Sequence, residues 1–376
     1  MQNLFETWSN FQQQQSQFLK GPRGHAWLSE VNEMTTQLKD LSYPSGEAWR
    51  YVDFGSMPRT RFEMPETDLV NRQDVDGDFY SLEINQFGKV EPWSMQGLPQ
   101  GVVFHSHLEE FERAEQDLIS DLFAKSATMN GFAKSALCFV GLGGVLRISD
   151  QVQLDKPIKV TLNLNDQNQK DALTHFHLCI QMGAGGKAEV LFDVQGRDFI
   201  GLSNVRVDAI VGDSGSLSFY GKQSGGAQSH FVQNLRANVS GSGTFNSFDF
   251  TLPSKWSRHD LDVHLLEKDA QTNIYGVYLN NQDWFSDHHT SIRHWVGETL
   301  SNEDYRGILA DSAKAVFNGL VRIEEKASKS FSEQINKNLV LSKKAEVNTK
   351  PELQIFNDDV KAAHGATVGQ IDEEQL

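Results

Sequence analysis

His364 is the side chain in this sequence whose type and setting most readily suggest chemistry. It follows two acidic residues, Asp358 and Asp359, and directly precedes Gly365-Ala366-Thr367. An imidazole titrates near neutral pH and is a common ligand of iron-group metal ions. A histidine in such a position more often hydrogen-bonds the backbone of a strand-to-helix turn than binds a metal. The spacing alone therefore makes His364 only a candidate for a functional residue.

Three histidines close together, His288, His289 and His294, form a second candidate group of metal ligands. Zinc sites use such residues, but neighbours on a strand point to opposite faces of the sheet. At most His288 and His294 converge on one ion, and only around a bend. We therefore expect a cross-strand polar patch or a subunit contact here.

His175, His177 and Cys179 alternate within one apolar segment and so share one strand face. Alternate strand residues lie about 6.6–7 Å apart, so the three side chains span about 13 Å. Metal–ligand bonds are only about 2.0–2.3 Å long, which excludes one ion held by all three. We predict that they are surface side chains.

The overall composition excludes several classes of function. The 376 residues carry a net charge of −16, which argues against binding to nucleic acid or anionic membranes, because both attract clustered Lys and Arg. No apolar run approaches the roughly 20 residues that span a bilayer, and residues 1–15 lack a signal-peptide pattern. The two cysteines form no metal-type pair, so we predict a cytoplasmic protein without structural disulfides.

The elements that must position these residues change in type along the chain. Apolar residues recur every three to four positions in 1–42 and again in 107–123, which predicts helices. From about Cys138 onward the period is two, which is typical of half-buried strands. Thr367 and Gln370 then match a capping box and predict the start of a helix.

Small residues beside polar ones recur in the turns between the predicted strands. Their central positions are Gly186, Gly215, Gly243, Ala270, Ala313, Ala327 and Ala345. Most gaps lie near multiples of about fourteen residues, which indicates a degenerate repeat and favours a solenoid over a β-sandwich. We predict a mainly β fold: an N-terminal helical or mixed domain at 1–125, a parallel β-helix core at 126–357, and the truncated start of a C-terminal helical segment at 358–376.

Several motifs occur in an order that is found in one known family. They include Asp287-His288-His289-Thr290, Phe317-Asn318-Gly319, Lys350-Pro351-x-Leu353-x-Ile355 and Asp358-Asp359-Val360-Lys361-x-x-His364-Gly365-Ala366-Thr367-Val368-Gly369. With these motifs, residues 45–376 resemble the SufB/SufD family of the SUF machinery for iron–sulfur cluster assembly. The low cysteine content is more like the SufD branch than the cysteine-bearing SufB branch.

The resemblance implies a non-catalytic scaffold subunit of a complex. The β-helix is expected to pair with a SufB-like homologue, near residues 310–360, or with a second copy in isolation. Helices that follow the β-helix in the family dock a SufC-like ATPase, so we expect weak ATPase binding if they are absent. The family match also suggests these partner-contact residues: Asp358, Asp359, Lys361, Gly365 and Thr367.

His364 is the residue to which the resemblance assigns cluster handling. Family members commonly have Cys-Ser-His where this chain has Ala362, Ala363 and His364. We therefore expect any thiolate ligand of a nascent iron–sulfur cluster at this interface to come from the partner. No firmly bound metal or cofactor is predicted. Related assemblies are linked to reduced flavin, but no stretch of this sequence specifies it.

An enzyme is the alternative function for a β-helix protein, because carbohydrate lyases and hydrolases share this architecture. Such an enzyme needs acids and a base in a surface groove, and the candidates are Asp283, Asp287, Asp304 and Arg306. The sequence has no phosphate-binding loop and no Gly-x-Ser-x-Gly elbow between a strand and a helix. We predict that the chain is not an enzyme.

Overall fold

The computed structural model describes residues 49–52, 77–85, 98–106, 130–138, 143–164 and 172–370. These ranges hold one helix, α1 (Gly131–Cys138), and eighteen strands in two nine-stranded sheets. The helices predicted within 1–42 and 107–123 lie outside them. Across the described ranges, no helix has the length and apolar character needed to cross a bilayer.

The two sheets are named here sheet I and sheet II. Sheet I contains, in spatial order, β1 (Tyr80–Asn85), β4 (Ile158–Asn163), β6 (Lys187–Gln195), β8 (Ser216–Ser224), β10 (Thr244–Thr251), β12 (Gln271–Asn280), β14 (Leu300–Leu309), β16 (Phe331–Val340) and β18 (Lys361–Gln370). Sheet II contains β2 (Val102–Ser106), β3 (Gly143–Ile148), β5 (Ala172–Met182), β7 (Gly201–Val211), β9 (Ser229–Val239), β11 (Trp256–Leu265), β13 (Phe285–His294), β15 (Lys314–Ile323) and β17 (Glu346–Ile355).

From β3 onward the chain alternates between the sheets, so each strand pairs with the strand two places along. These pairs are parallel, whereas β2 and β3 pair antiparallel. Lys187, Ser216, Thr244 and Gln271 lie in register across β6, β8, β10 and β12. From β6 to β12 one coil therefore takes 27–29 residues, and the coil from β15 to β17 takes 32. The repeat seen in the sequence corresponds to about half a coil. The predicted mainly β fold with a parallel solenoid core is confirmed.

The turn that leads from sheet II to sheet I explains the recurring small residue. Its next-to-last residue has a left-handed backbone in four successive coils: Gly185, Ser214, Ser242 and Asp269, with φ of 62°, 54°, 53° and 61°. The next residue must be small, because a Cβ at Gly215 or Gly243 would lie 2.9 Å from a backbone carbonyl oxygen. Ala270 occupies the equivalent place in the following coil and is fully buried.

Side chains from both sheets meet between them and form the core. In the early coils they are apolar, and the rings of Phe176, Phe192 and Phe219 stack at centroid distances of 5.8 and 6.2 Å. All three rings are buried. Burial of such rings and of the aliphatic residues around them is the main favourable contribution to the stability of each coil.

The prediction of a helix starting near residue 367 is wrong. Residues Lys361–Gln370 form β18, which pairs in parallel with β16 from Phe331 to Val340. The capping-box match of Thr367 and Gln370 is a short-range signal, and the ladder to β16 overrides it. Strand β18 thus completes the last coil of the solenoid, although it lies in the segment 358–376 that was predicted to be helical. Residues 371–376 lie outside the described ranges.

Close packing of the interior predicts that alanine substitution destabilises the protein at one of two equivalent glycines of sheet I and has little effect at the other. A Cβ at Gly276 would lie 2.1 Å from the ring of Tyr305, whereas a Cβ at Gly221, two strands earlier in register, would meet nothing closer than 3.5 Å. Gly276→Ala should lower the free energy of unfolding by about 1–3 kcal/mol. Gly221→Ala should change it by less than about 1 kcal/mol. Urea unfolding followed by circular dichroism measures both, and equal losses would contradict the packing described here.

Candidate functional site at the last coil of the solenoid

The residues predicted to contact a partner lie together at the end of the solenoid. Asp358 and Asp359 occupy the turn after β17, and Lys361, His364, Gly365 and Thr367 lie on β18. All six are exposed. The backbone there is held by hydrogen bonds: the amide of Lys361 donates to the carbonyl oxygen of Ser330 at 3.0 Å, and the amide of Asp359 donates to Oδ1 of Asn357 at 2.9 Å. The segment thus has a fixed backbone and exposed side chains.

His364 is in register with two buried polar residues of the preceding coils. Its partner on β16 is Gln334, and the partner of Gln334 on β14 is Glu303. Nε2 of Gln334 donates to Oε2 of Glu303 at 2.7 Å, and Oγ1 of Thr290 donates to Oε1 at 2.5 Å. A polar column therefore runs inward from the exposed histidine to a carboxyl group buried two coils deeper.

Glu303 is a buried acid whose protonation changes near neutral pH. Burial raises its pKa to about 7, against the lesser, lowering effect of the hydrogen bonds from Thr290 and Gln334. Among the residues that the structure describes, no ion pair balances its charge. The interior of the last coils therefore contains a group that gains or loses a proton in the physiological range.

The polar column belongs to a wider polar interior that the sequence did not reveal. The phenol of Tyr278 donates to Oδ1 of Asn338, and Nδ2 of Asn336 donates to the carbonyl oxygen of Tyr305 at 3.1 Å. Thr349 adds a hydrogen bond to Asn336 at 2.8 Å. The signal was present in β16, where Gln334, Asn336 and Asn338 alternate with outward residues. Strands are predicted from alternating apolar and polar residues, so a strand whose buried face is polar does not show the expected pattern.

The side chains of His288, His289 and His294 do not all lie on the same face of sheet II. His288 points into the solenoid and stacks on His259 with ring centroids 4.9 Å apart, which is a cross-strand contact. His289 faces outward, with Nε2 2.9 Å from Oδ1 of Asp287. His294 is buried, with Nδ1 2.7 Å from the hydroxyl of Thr299 and Nε2 2.9 Å from that of Ser301. The structure does not bring His288 and His294 together.

The prediction that His175, His177 and Cys179 are surface side chains is wrong. They are 2%, 0% and 0% exposed. The outer face of sheet II is covered here by α1: Nδ2 of Asn204 donates to the carbonyl oxygen of Phe132 at 2.9 Å and lies 3.1 Å from Nδ1 of His175. Strand alternation shows that two faces exist but not which element covers the second face.

Burial also changes the chemistry of these residues. It lowers the pKa of His175 to about 3 and raises the pKa of the Cys179 thiol, so both are neutral at physiological pH. His177 lies 2.9 Å from Oδ2 of Asp208, which also accepts a hydrogen bond from Nε of Arg206 at 2.6 Å. These are buried structural contacts, and Cys179 is not available as a surface thiolate.

The residues proposed for a carbohydrate-active enzyme do not form one site. Asp287 lies on the outer face of sheet II and accepts a hydrogen bond from Arg258 at 2.6 Å. Asp304 lies on the outer face of sheet I, paired with Arg306 at 2.8 Å. Asp283 is largely exposed and pairs with Lys255 at 2.8 Å. A pair of catalytic acids must flank one bond of the substrate, so this geometry does not support the enzyme alternative.

Comparison with known proteins places the candidate site within a described family. The family model for the core domain of SufB and SufD, in the SUF system of FeS cluster assembly, matches residues 164–376. The chain belongs to the SufB/SufD family. The matched residues include β5 to β18, and therefore the whole of the last coil with His364.

Several relatives are named as SufD or SufB/SufD-type proteins. The iron–sulfur cluster assembly protein SufD of Escherichia coli is 35% identical over 147 residues, which are 39% of this chain and 34% of that protein. A SufB/SufD family protein of Synechocystis is 31% identical over 46% of this chain and 38% of its own length. SufD of Bacillus subtilis is 23% identical over 93% of this chain and 84% of its own length. The matches support a chain of the SufD type, although this chain spans little more than a third of the first two relatives.

Glu303 should make the stability of the protein depend on pH. Its pKa is about 7 when folded and 4.5 as the ordinary value, so the folded state binds the proton more tightly. The resulting stabilisation is complete below the ordinary pKa and is lost as pH rises through about 7, a fall of about 3 kcal/mol in total. Glu303→Gln should remove that fall, measured as the difference in unfolding free energy between about pH 5 and pH 8.

Glu333→Gln is the matched control, because Glu333 is the exposed outward neighbour of Gln334 on β16. It should retain the pH dependence of the wild-type protein. If Glu303→Gln keeps the wild-type pH profile, the assignment of the raised pKa to Glu303 is refuted.

Proposed function

We propose that this protein is a non-catalytic scaffold subunit in iron–sulfur cluster assembly. It pairs with a SufB-like homologue through the end of its solenoid and works with a SufC-like ATPase. Membership in the SufB/SufD family and relatives that are named iron–sulfur cluster assembly proteins support this role. The observation that carries the proposal is the last coil, where exposed His364 lies on β18, a strand that has a hydrogen-bonded neighbour on only one side among the described strands.

The pairing surface in this proposal is the open end formed by β17 and β18. Each is the terminal strand of its sheet, so each has one edge without a hydrogen-bonded neighbour among the described strands. Large apolar side chains are exposed beside these edges: Ile355 at 44%, Phe356 at 50% and Val368 at 52%. Free edges and exposed apolar groups are the features that a second β-protein covers when it adds its own strands.

The contact region that we infer is shifted toward the end of the solenoid, relative to the predicted region of 310–360. Strands β15 and β16 within it are paired on both sides, so their backbone groups are already satisfied. We assign the contact to β17, to β18 and to the turn between them, which carries Asp358 and Asp359. The same edges explain how an isolated chain would form a homodimer.

His364 supplies the cluster-handling group in this proposal. Its imidazole is exposed at the end where the partner docks, and imidazole is a ligand for iron. The neighbouring position, Ala362, has no thiol, and Cys179 is buried far from the end coil. Thiolate ligands for the cluster, which is cargo and not a resident cofactor, therefore come from the partner subunit.

The remaining parts of the proposal rest on the family match. Residues 358–376 were predicted to begin the helical segment that docks the ATPase, but residues 361–370 form a strand. The docking helices are therefore not among the described residues. Reduced flavin has no specified site here. The acidic chain is not proposed to bind nucleic acid or membranes, and a cytoplasmic location stays a prediction from its cysteine usage.

Substitution of His364 tests the cluster-handling role. His364→Ala should leave the complex with the SufB-like and SufC-like partners intact, because the side chain is exposed and no hydrogen bond in the described structure depends on it. Cluster formation on the complex should fall by about tenfold or more, which corresponds to about 1.4 kcal/mol. It is measured by the visible absorption of the cluster and by bound iron and sulfide.

Lys337→Ala is the control, because Lys337 is an exposed outward residue of the neighbouring strand β16. It should assemble clusters at the wild-type level. Undiminished assembly by His364→Ala would refute the role of the histidine, and failure of the wild-type chain to co-purify with either partner would refute the scaffold proposal itself.

A further inference from the structure

A second group of potential ligands lies inside the solenoid, several strands away from His364. Asp249 projects inward from β10 of sheet I, and His259 and His288 project inward from β11 and β13 of sheet II. The register of the two sheets brings them to the same depth. One ligand atom from each of the three side chains lies within 4.8 Å of the other two.

The donor atoms face one another across a short distance. Oδ2 of Asp249 is 3.3 Å from Nδ1 of His259 and 3.8 Å from Nε2 of His288. The hydroxyl of Thr251 lies beside them, 3.0 Å from Nε2 of His288 and 3.5 Å from Nε2 of His259. Two imidazoles, a carboxylate and a hydroxyl thus surround one point in the interior.

The hydrogen bonds in the described structure do not satisfy this group. The side chains of His259, His288 and Asp249 are only 5%, 2% and 10% exposed. Nδ1 of each histidine has no hydrogen-bond partner among the described residues, since the contact of His259 with Asp249 lacks hydrogen-bond geometry. A buried polar atom without a partner costs about 1–3 kcal/mol, which calls for a specific reason.

We propose that Asp249, His259 and His288 bind one divalent transition-metal ion, with the hydroxyl of Thr251 or a water as a further ligand. Two histidines and one carboxylate are a donor set for Zn²⁺ and for non-haem Fe²⁺. Burial holds His288 neutral by lowering its pKa, and neutral imidazole is the form that binds metal. The ion would also balance the buried carboxylate, whose only ion-pair partners in the described structure are these two histidines.

Metal binding needs a small movement of the side chains around the site. The two imidazole rings are nearly parallel, at 8°, so their in-plane lone pairs do not yet converge. The His288 ring is stacked between the rings of His259 and Tyr278, with centroid distances of 4.9 and 4.7 Å. A rotation about χ2 that directs Nε2 toward the carboxylate must therefore move the Tyr278 ring with it. Gly221, the register neighbour of Asp249, leaves room beside the carboxylate, because a Cβ there would meet nothing closer than 3.5 Å.

Co²⁺ is a suitable probe, because it occupies Zn²⁺ and Fe²⁺ sites of this donor type and absorbs visible light when coordinated. The full chain, stripped with a chelator, should bind one Co²⁺ per molecule with ligand-field bands of nitrogen and oxygen ligation. Binding should also raise the unfolding midpoint. Asp249→Asn, which keeps the size of the side chain, should weaken Co²⁺ binding by at least about 100-fold, the upper limit for changes outside the ligand set.

Two control variants distinguish this site from other histidines. His364→Ala removes the exposed histidine at the end of the solenoid, and His294→Gln changes a buried one whose ring nitrogens lie 2.7 and 2.9 Å from hydroxyl groups. Both should bind Co²⁺ as tightly as the wild-type chain. His259→Gln and His288→Gln should behave like Asp249→Asn, and circular dichroism reports whether each variant is folded.

The proposal is overturned if the wild-type chain binds no stoichiometric Co²⁺, or if folded Asp249→Asn binds it as tightly as the wild type. It is also overturned if His364→Ala alone abolishes binding, because the ion would then sit at the end of the solenoid. These outcomes do not depend on the partners of the proposed scaffold, so the two proposals fail separately.

Discussion

The parallel backbone ladder between each strand and the strand two places along is the interaction on which the rest of this structure depends. A single coil cannot bury its inner face alone, because only the next coil covers its edges and continues its core. The ladder from β16 to β18 forms even though the sequence of β18 carries a helix-capping pattern. Backbone hydrogen bonding to a preformed edge therefore outweighs the local preference of that segment.

Because the ladder is in register, each inward position becomes a column of side chains that runs the length of the solenoid. In the early coils the columns hold stacked rings such as Phe176, Phe192 and Phe219, which stabilise the core by burying apolar area. In later coils the same columns hold Asp249, His288, Glu303 and Gln334. Buried polar groups contribute less net stability than apolar ones and are costly when unpaired. Their concentration in the coils that lead to the open end makes this half of the interior more polar than the first half.

The sequence predicted the solenoid because its two strongest signals are local: alternation along each strand and a small residue beside a polar one in recurring turns. It also predicted that adjacent His288 and His289 face opposite sides. It did not predict that α1 covers His175, since the alternation of a strand carries no information about which element packs on its second face. Nor did it predict the site of Asp249, His259 and His288. These residues are spread over forty positions, from 249 to 288, and meet only through the register of three strands.

Hydrogen–deuterium exchange at β17 and β18 tests most directly whether the open end of the solenoid is the docking surface. Terminal strands have outward amides that exchange with water, whereas the amides of β15 and β16 are already bonded on both sides. With a SufB-like partner bound, exchange in β17 and β18 should slow by about tenfold or more, equivalent to about 1.4 kcal/mol, while β15 and β16 change little. Unchanged exchange in β17 and β18 in a complex shown to contain the partner would contradict the assignment of this end as the interface.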